Sequence, residues 1–374
     1  QTLSKARCPT SDGGRRIEMH STLHSNLVRT YRAILCCAAV LLTQLATAQN
    51  RENAAITTDT LEYYLVQAFQ APTVKDRIAL NHIGIEAHTV DDGFLVTASL
   101  EGYPAHQAGI ERGDKILRAD DKPFHPVYSF NAKNSKPSDF APTNAMHLLE
   151  FERRGGVASV EISPVFENLY DSYRSAILNS VQEFSVGNKT IGYIRIWGLS
   201  RSTSDLFTLE RTMRMFRDSD GMIIDLRNSY GFLSSKHLDF FVRNGRGKFE
   251  VSDFSNRHAA IAQIFPASAT RTFTRPIVVL VNSKTRGGAE LFAHGLAKPE
   301  RTTTLGEITA GKIGSYSHDG NTILYLPADQ VLIDGRRFES KGVVPNDSIA
   351  FPFNQSSRSD PQFETAVDVL LGVI

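Results

Sequence analysis

One stretch in the last third of the chain constrains the fold more than any other. Ile277–Val281 is a run of five apolar residues that favour strands, which predicts a strand buried on both faces. The turn 282–288 follows and ends in two glycines, and helical spacing then runs from Ala289 to Leu296. The start of such a helix has unpaired N–H groups that can hold an anion or a transition-state oxyanion. The spacing alone also fits any strand-to-helix connection that needs two glycines to turn.

From about residue 188 onward, strand and helix patterns alternate, which predicts an α/β fold. The predicted elements are a strand at Thr190–Ile196, a helix at Ser202–Phe216, strands at Gly221–Leu226, Ile277–Val281 and Thr302–Leu305, and a C-terminal helix at Pro361–Leu371. A shorter amphipathic helix is predicted within residues 51–70, where Leu61, Tyr64, Leu65, Ala68 and Phe69 have helical spacing.

Two neighbouring motifs resemble the core of the C-terminal processing peptidases, the tail-specific serine proteases of peptidase family S41. Residues 285–290 (TRGGAE) correspond to the family turn S/T-x-S-A-S-E, and residues 306–312 (GEITAGK) correspond to G-E-x-T-x-G-K. The resemblance implies that Lys312 occupies the position of the general base and Gly287 that of the nucleophilic serine. The separation of the two positions matches the family without a gap.

Further motifs extend the resemblance over nearly all of residues 76–371. Residues 225–233 (DLRNSYGFL) resemble D-L-R-x-N-x-G-G-x-L, and residues 334–347 resemble D-G-x-x-x-E-x-x-G-V-x-P-D. The resemblance implies that Gly231 and Gly288 donate the two oxyanion N–H groups. Two positions depart from the family: Phe232 replaces its second glycine, and Tyr316 replaces a glutamine that some members carry four residues after the lysine.

A compact β-rich segment, residues 76–165, resembles a PDZ domain. Its signature is residues 104–116 (PAHQAGIERGDKI), and the segment closes with a predicted hairpin around Gly155-Gly156. The resemblance implies that Ile83, Gly84 and Ile85 form a loop that binds the terminal carboxylate of a peptide added as a strand. A polar insert between Pro126 and Pro142 lies where the family has a shorter link into its peptide-groove helix. If the loop does not bind a peptide, we expect this insert to be the obstruction.

Gly287 decides whether this chain can hydrolyse peptide bonds by the chemistry of the family. Hydrolysis needs a hydroxyl nucleophile and a lysine that accepts its proton, and glycine supplies no nucleophile. The nearby hydroxyls are those of Ser283, Thr285 and Ser315, each at a different place on its loop. If Gly287 is the only substitution that prevents hydrolysis, Gly287→Ser should restore some hydrolysis. The further substitution Lys312→Ala should then abolish it. Two functions remain open: a serine peptidase that acts near C-termini, and a non-catalytic relative that binds polypeptide C-termini as an adaptor, chaperone or decoy.

The N-terminal region has the three parts of a secretory signal peptide. Two arginines precede the apolar run at residues 33–42, and Ala46-Thr47-Ala48 supplies a small-x-small cleavage site. We therefore expect a secreted, periplasmic chain after removal of residues 1–48. All three cysteines, Cys8, Cys36 and Cys37, precede that cleavage site. This placement predicts a mature protein without disulfides or cysteine-ligated metal.

Composition describes an ordinary globular protein and excludes some partners. The chain has 374 residues, 22% of them charged, and a formal net charge of +1, which gives no indication of nucleic-acid binding. No internal apolar run is long enough to span a membrane, so we expect no membrane insertion after signal removal. No cofactor or metal motif is present, and the sequence fixes no oligomeric state.

The predicted architecture is an α/β, ClpP/crotonase-like S41 peptidase domain with a small β-rich PDZ domain. The expected boundaries are 1–48 for the upstream residues and signal peptide, 49–75 for a helical segment, 76–165 for the PDZ domain and 166–374 for the peptidase-like domain. The expected partners are polypeptides with free C-termini.

Overall fold

A computed structural model of the chain describes residues 55–242, 249–252, 272–355 and 359–374. The predicted signal peptide and all three cysteines lie outside the described residues. The chain from Ala55 to Ile374 forms one compact unit.

The N-terminal segment is a short strand followed by a helix. Strand β1 (Ile56–Thr57) pairs antiparallel with Thr322 and Ile323, and helix α1 spans Leu61–Gln70. The helix begins only at Leu61 because Thr60 has extended backbone and its hydroxyl accepts the Tyr63 N–H at 3.3 Å. The prediction of a helix within residues 51–70 is therefore confirmed for its second half, while Ile56–Thr57 is a strand.

Residues 80–167 form a unit that we call the β-rich unit. Its elements are β2 (Leu80–His82), β3 (Ile85–Val90), β4 (Gly93–Ser99), α2 (Pro104–Gln107), β5 (Lys115–Ala119), β6 (Lys122–Pro123), β7 (His147–Arg153), β8 (Gly156–Ile162) and β9 (Val165–Glu167).

The main sheet of the β-rich unit is antiparallel, in the order β3-β4-β5-β7-β8, so that β3 is an edge strand. The predicted hairpin is confirmed: β7 and β8 pair around Arg154 and Gly155, both with positive φ. Asp114 of the P-A-x-x-A-G-I-x-x-G-D run is almost fully buried and accepts two hydrogen bonds from the Arg153 guanidinium at 2.5 and 2.6 Å. This charge pair joins the run to the hairpin.

The rest of the chain builds an α/β unit. Its elements are α3 (Leu169–Ser180), β10 (Gln182–Val186), β11 (Lys189–Arg195), β12 (Gly198–Leu199), α4 (Thr203–Met215), β13 (Gly221–Asp225), β14 (Tyr230–Gly231), α5 (Ser235–Asp239), β15 (Val251–Ser252), β16 (Ile277–Val281), α6 (Gly288–Leu296), β17 (Thr302–Gly306), β18 (Ser315–Asp319), β19 (Thr322–Leu326), β20 (Leu332–Ile333), β21 (Arg336–Arg337), β22 (Asp347–Ser348) and α7 (Pro361–Leu371).

The central sheet has the order β10-β11-β13-β16-β17-β22 and is parallel from β11 to β22. Both faces are covered, as the apolar run of β16 predicted. Val278 and Leu280 pack toward α7, and Val279 and Val281 belong to the core that includes Phe292 of α6. In a parallel sheet the carboxyl ends of the strands meet at one edge, where ligands commonly bind. The predicted α/β architecture is confirmed.

Candidate functional site

Three loops meet where β13, β16 and β17 end. They are residues 226–229, 282–287 and 307–312, and three backbone hydrogen bonds and one side-chain hydrogen bond join them directly. The contacts are Arg286 N–H to Ser229 O at 2.9 Å, Gly287 N–H to Lys312 O at 2.8 Å, Ala310 N–H to Thr285 O at 3.0 Å, and the Thr285 hydroxyl to Leu226 O at 2.8 Å. The structure thus brings together the segments that carry Gly231, Gly287, Gly288 and Lys312, which lie far apart in sequence.

Gly287 lies immediately before α6 with φ +67° and ψ −133°, a backbone conformation that glycine adopts readily and other residues rarely adopt. A Cβ atom at this position would lie 3.0 Å from the carbonyl oxygen of Gly231 and 3.7 Å from the ring of Tyr230. Gly287 is buried. The position that corresponds to the nucleophile of the family is therefore covered, and the chain has no side chain there.

Gly231 and Gly288 approach each other closely. A Cβ atom on Gly288 would lie 2.3 Å from the Leu233 nitrogen and 2.7 Å from the Gly231 carbonyl oxygen. Gly231 has φ +122°, and a Cβ atom there would meet the Leu199 carbonyl oxygen at 2.2 Å. Both glycines are thus required by close backbone packing. Their role as oxyanion donors stays a prediction, and the carbonyl oxygen of Gly231 is the group that faces both Gly287 and Gly288.

Gly287→Ser and Gly287→Ala are expected to destabilise the fold equally, by about 1–3 kcal/mol each, because both place a Cβ atom on the same unfavourable backbone conformation. We also expect Gly287→Ser to hydrolyse peptides no faster than Gly287→Ala, since its side chain would meet the Gly231 carbonyl oxygen. Urea unfolding and a peptide cleavage assay measure the two effects. A higher hydrolysis rate for Gly287→Ser that disappears in the double variant with Lys312→Ala would contradict this expectation. It would show that the missing serine alone prevents hydrolysis.

Lys312, the predicted general base, is half-buried at the end of the third loop. Its backbone N–H donates to Glu290 at 2.8 Å and its carbonyl accepts the Gly287 N–H. Its ammonium nitrogen lies 5.6 Å from the centre of the Tyr325 ring. Within the described ranges, no carboxylate lies at ion-pair distance from this ammonium group. The backbone of Lys312 is therefore fixed, while its side chain lies against an aromatic face.

Glu290 of α6 holds the third loop in place. Its fully buried carboxyl group accepts hydrogen bonds from the Thr309 hydroxyl and the Gly311 N–H at 2.5 Å, as well as the Lys312 N–H. Burial raises the pKa of Glu290 to about 7, although these three donors favour the ionised form. Glu290 is the last residue of the TRGGAE motif, one helical turn after Gly287, and its role in holding the loop was not predicted from the motif.

Aromatic side chains surround the covered position. Tyr230 is almost fully buried, and its ring lies 5.3 Å from Phe69 and 6.1 Å from both Phe232 and Tyr316, measured between ring centres. The Arg286 guanidinium is 5.1 Å from the Tyr230 ring centre and 3.4 Å from Glu62 of α1. The two departures from the family, Phe232 and Tyr316, thus pack against Tyr230, whose ring is the aromatic group beside Gly287.

The hydroxyls considered as substitutes for the missing serine have different surroundings. The Thr285 hydroxyl is buried, donates to Leu226 O and accepts the Asn282 N–H at 3.0 Å, so its hydrogen bonds are structural. Ser283 is exposed and its hydroxyl lies 3.3 Å from Glu307, while Ser315 is part of β18. Ser229 was not considered: its hydroxyl is fully buried and has no hydrogen-bond partner among the described residues.

The predicted carboxylate-binding loop lies at the start of β3. Ile83 and Ile85 are buried, in one apolar cluster with Phe130 of the 126–142 insert. Gly84 has φ +76°, and its N–H donates to Nδ1 of His82 at 3.1 Å. The insert forms a 3₁₀ turn at Pro137–Asp139, and Asn131 within it hydrogen-bonds Asn81. Peptide binding by Ile83, Gly84 and Ile85 therefore stays a prediction.

Other sites suggested by residue type carry little chemistry. His237 is buried, and burial lowers its pKa to about 4 while its Nδ1 accepts the Ser234 N–H at 2.9 Å. It is a core histidine, and His258 lies outside the described residues. Over the described ranges, no cluster of side chains has the makeup of a metal site. None of the helices described combines the length and apolar character needed to cross a membrane.

Comparison with known proteins finds similarity to one peptidase family. Residues 190–349 match the profile of peptidase family S41. The chain is 25% identical over 277 residues to the carboxy-terminal processing protease CtpA of Bacillus subtilis, covering 72% of this chain and 56% of that protein. It is 26% identical over 285 residues to a carboxyl-terminal-processing protease of Synechocystis sp., covering 74% and 65%. The chain thus spans less than two thirds of the length of either relative.

The fold also resembles a solved structure, a putative S41 protease from Bacteroides fragilis. The TM-score is 0.51 at 16% sequence identity, over 79% of this chain and 84% of that one. The likeness shows that the two chains share an α/β fold, here with a parallel sheet and three loops at its carboxyl edge. More particularly, residues 190–349 match the peptidase family S41 model, and the chain is similar in sequence to proteins named as C-terminal processing proteases.

Proposed function

We propose that this chain is a polypeptide-binding member of the S41 family that lacks serine–lysine hydrolysis. The observation that carries the proposal is the covered, side-chain-free position of Gly287, beside a fixed Lys312 backbone. The three loops at the carboxyl edge of the sheet contact one another, and Glu290 accepts hydrogen bonds from the third of them, which supports a preserved peptide-binding scaffold. The part that is missing is the nucleophile, without which no acyl-enzyme can form.

The proposed ligand is a polypeptide with a free C-terminus. Relatives named as C-terminal processing proteases support a polypeptide as ligand. The edge strand β3 supports the mode of binding, since an edge strand has backbone groups available for an added strand. The positive φ of Gly84 supports the predicted carboxylate loop, with Ile83 and Ile85 beside it. The proposed role is that of an adaptor, chaperone or decoy that binds the C-termini of polypeptides.

A peptide with a free C-terminus is expected to bind at least tenfold more tightly than the same peptide amidated. Each charge-assisted hydrogen bond to the carboxylate contributes roughly 1.5–3 kcal/mol. Titration calorimetry with paired acid and amide peptides ending in Ala or Val measures the difference, and micromolar affinity is expected for the acid. Equal affinities, or none for either peptide, would show that the carboxylate loop does not function. The insert residue Phe130 would then be the first candidate for the obstruction.

The second candidate function is peptide hydrolysis by a different hydroxyl. The observation that favours it is the buried, unpartnered hydroxyl of Ser229, two residues before Gly231, on the loop that accepts the Arg286 N–H. A serine nucleophile there would leave activity that Ser229→Ala removes and Gly287→Ala does not. Measurement of casein cleavage by these two variants separates the candidates.

We also propose secretion to the periplasm, on the basis of the predicted signal peptide at residues 1–48. Cell fractionation of the expressed full chain, with mass spectrometry of its N-terminus, is the test. A new N-terminus at Gln49 in the periplasmic fraction is expected. Retention of an intact N-terminus in the cytoplasmic fraction would contradict this localisation. No cofactor and no nucleic acid enter the proposed activity.

A further inference from the structure

A solvent-open cavity of about 200 Å³ lies where the β-rich unit meets the α/β unit, and Gly287 is not among its lining residues. Its volume suits a small ion rather than a larger ligand. The lining is dominated by charged and polar groups from both units. The lining residues that matter for charge are Glu101, His106 and Arg112 of the β-rich unit and Arg195, Arg227 and Asp360 of the α/β unit.

Two of the three arginines have carboxylate partners. Arg227 donates to Asp225 at 2.6 Å and to Asp360 at 2.7 Å, so its charge is balanced within the protein. Arg195 lies 3.5 Å from Glu101 and stacks on the Trp197 ring at 3.8 Å. The Nε–H of Arg195 has no hydrogen-bond partner among the described residues. Arg195 is therefore only partly satisfied.

Arg112 has no carboxylate at ion-pair distance in the part of the chain that the structure describes. Its guanidinium lies between Phe351 and Phe353, at 4.0 and 4.6 Å from the ring centres. It donates to the backbone carbonyls of Thr97, at 3.3 Å, and Phe351, while its Nε–H is buried without a partner among these residues. Burial and the nearby Arg227 and Arg195 lower the pKa of Arg112 to about 10, although Asp360 and Glu307 oppose this shift. A partly buried cation without a carboxylate partner of its own is stabilised by an added anion.

We propose that this cavity binds a small oxyanion, a carboxylate or a phosphate, between Arg112 and Arg195. A guanidinium presents several N–H groups in one plane and recognises two oxygens of such an anion at once. The terminal nitrogens of Arg112 each donate to one backbone carbonyl, and each carries a second hydrogen that can be donated to the anion. Of the three arginines, Arg112 is the one without a carboxylate at ion-pair distance among the described residues, so it is the group with which an added anion would pair.

The site also touches the loop after β13. Asn228, which lines the cavity, donates to Glu86 of β3 at 2.7 Å and to no other group of the β-rich unit among the described contacts. Its own N–H donates to Asn282 of the second loop at 2.9 Å. An anion bound here therefore lies beside the contact that joins the edge strand β3 to the carboxyl edge of the central sheet.

The test uses inorganic phosphate as the probe, with the full mature chain at constant ionic strength. The melting temperature is expected to rise with phosphate concentration, because phosphate binds the folded chain. Chloride at the same ionic strength is expected to leave the melting temperature unchanged. Arg112→Gln should weaken phosphate binding at least tenfold, measured against the variant's own unliganded melting temperature, because the substitution also removes the contacts with Phe351 and the Thr97 carbonyl. Arg112→Lys should also weaken it, because the planar fork is lost. Arg118→Gln, which removes an exposed charge from β5 of the same unit, should have no effect.

Two further arms identify the source of the anion. A peptide acid that displaces phosphate, while its amide does not, would assign the site to a carboxylate. Phosphate binding that neither peptide displaces would assign it to phosphate. Equal phosphate affinity in wild type and Arg112→Gln, or no binding of phosphate, acetate or peptide acid to the wild type, would overturn the proposal. The acid and amide peptides separate this site from the β3 loop, because Arg112→Gln leaves that loop unchanged.

Discussion

The chain is expected to hydrolyse an unfolded protein such as casein no faster than its own Lys312→Ala variant. Loss of the nucleophile from a serine protease costs on the order of 10⁶ in turnover, or roughly 8 kcal/mol of activation free energy. What remains is a residual acceleration of about 10³–10⁴ over water, which a protein-cleavage assay does not detect. The structure supports this expectation because the Tyr230 ring and the Gly231 carbonyl occupy the space around Gly287.

Release of fluorescent fragments from labelled casein over several hours measures this prediction. The matched controls are Lys312→Ala, which removes the predicted base, and Gly287→Ala, which adds a Cβ atom without a hydroxyl. All three proteins should give the rate of a buffer blank. A wild-type rate tenfold above that of Lys312→Ala would contradict the account, because it would show that Lys312 activates a nucleophile elsewhere.

The second large effect is expected at Glu290. Glu290→Ala removes the acceptor of the Gly311 and Lys312 N–H groups, and each buried group left without a partner costs roughly 1–3 kcal/mol. The loop that carries Lys312 should therefore loosen, with a fall in the free energy of unfolding. Urea denaturation at pH 7 measures the fall, and faster amide exchange at residues 309–312 than in wild type locates it.

The protonation of Glu290 adds a pH dependence of definite sign. Its pKa in the folded chain, about 7, lies above the ordinary value of 4.5, so the folded state binds this proton more tightly than the unfolded state does. Its contribution to stability is complete below about pH 4.5 and is lost as pH rises through 7. The loss is about 3 kcal/mol, from a pKa difference of that size. Glu290→Gln does not titrate, so the stability of wild type relative to this variant should fall between pH 5 and pH 8. A relative stability that rises or stays flat would contradict the assignment.

Much of the fold was predictable because its sequence patterns are local. Ile277–Val281 and Pro361–Leu371 are a strand and a helix at the predicted residues, since a buried parallel strand is apolar throughout and Asp360 caps a helix that starts with proline. The start of α1 was not predictable from spacing, because Thr60 ends the extended segment by capping the helix. Helical periodicity shows which face is buried and does not mark the cap.

The positions of the glycines and the lysine of the site were predictable from the sequence. The side chains that contact them were less predictable. The resemblance located Gly231, Gly287, Gly288 and Lys312, and the structure brings their segments together. The contact between Glu290 and the third loop joins residues 19 to 22 positions apart, and no local pattern reports such a contact. The same holds for Arg112, which stacks on Phe351 at a sequence separation of 239 residues. Burial and pairing of charges depend on the tertiary fold, so they appear only when the chain is folded.

The central claim is that no hydroxyl in this chain acts as a peptidase nucleophile. The most direct measurement is the intact mass of the mature protein after incubation with a fluorophosphonate probe, which forms a covalent adduct with an activated serine. We expect no adduct on the wild type, on Gly287→Ala or on Lys312→Ala. A stoichiometric adduct on the wild type that maps to Ser229, Ser283, Thr285 or Ser315 and disappears in Lys312→Ala would contradict the claim and identify the chain as a working serine peptidase.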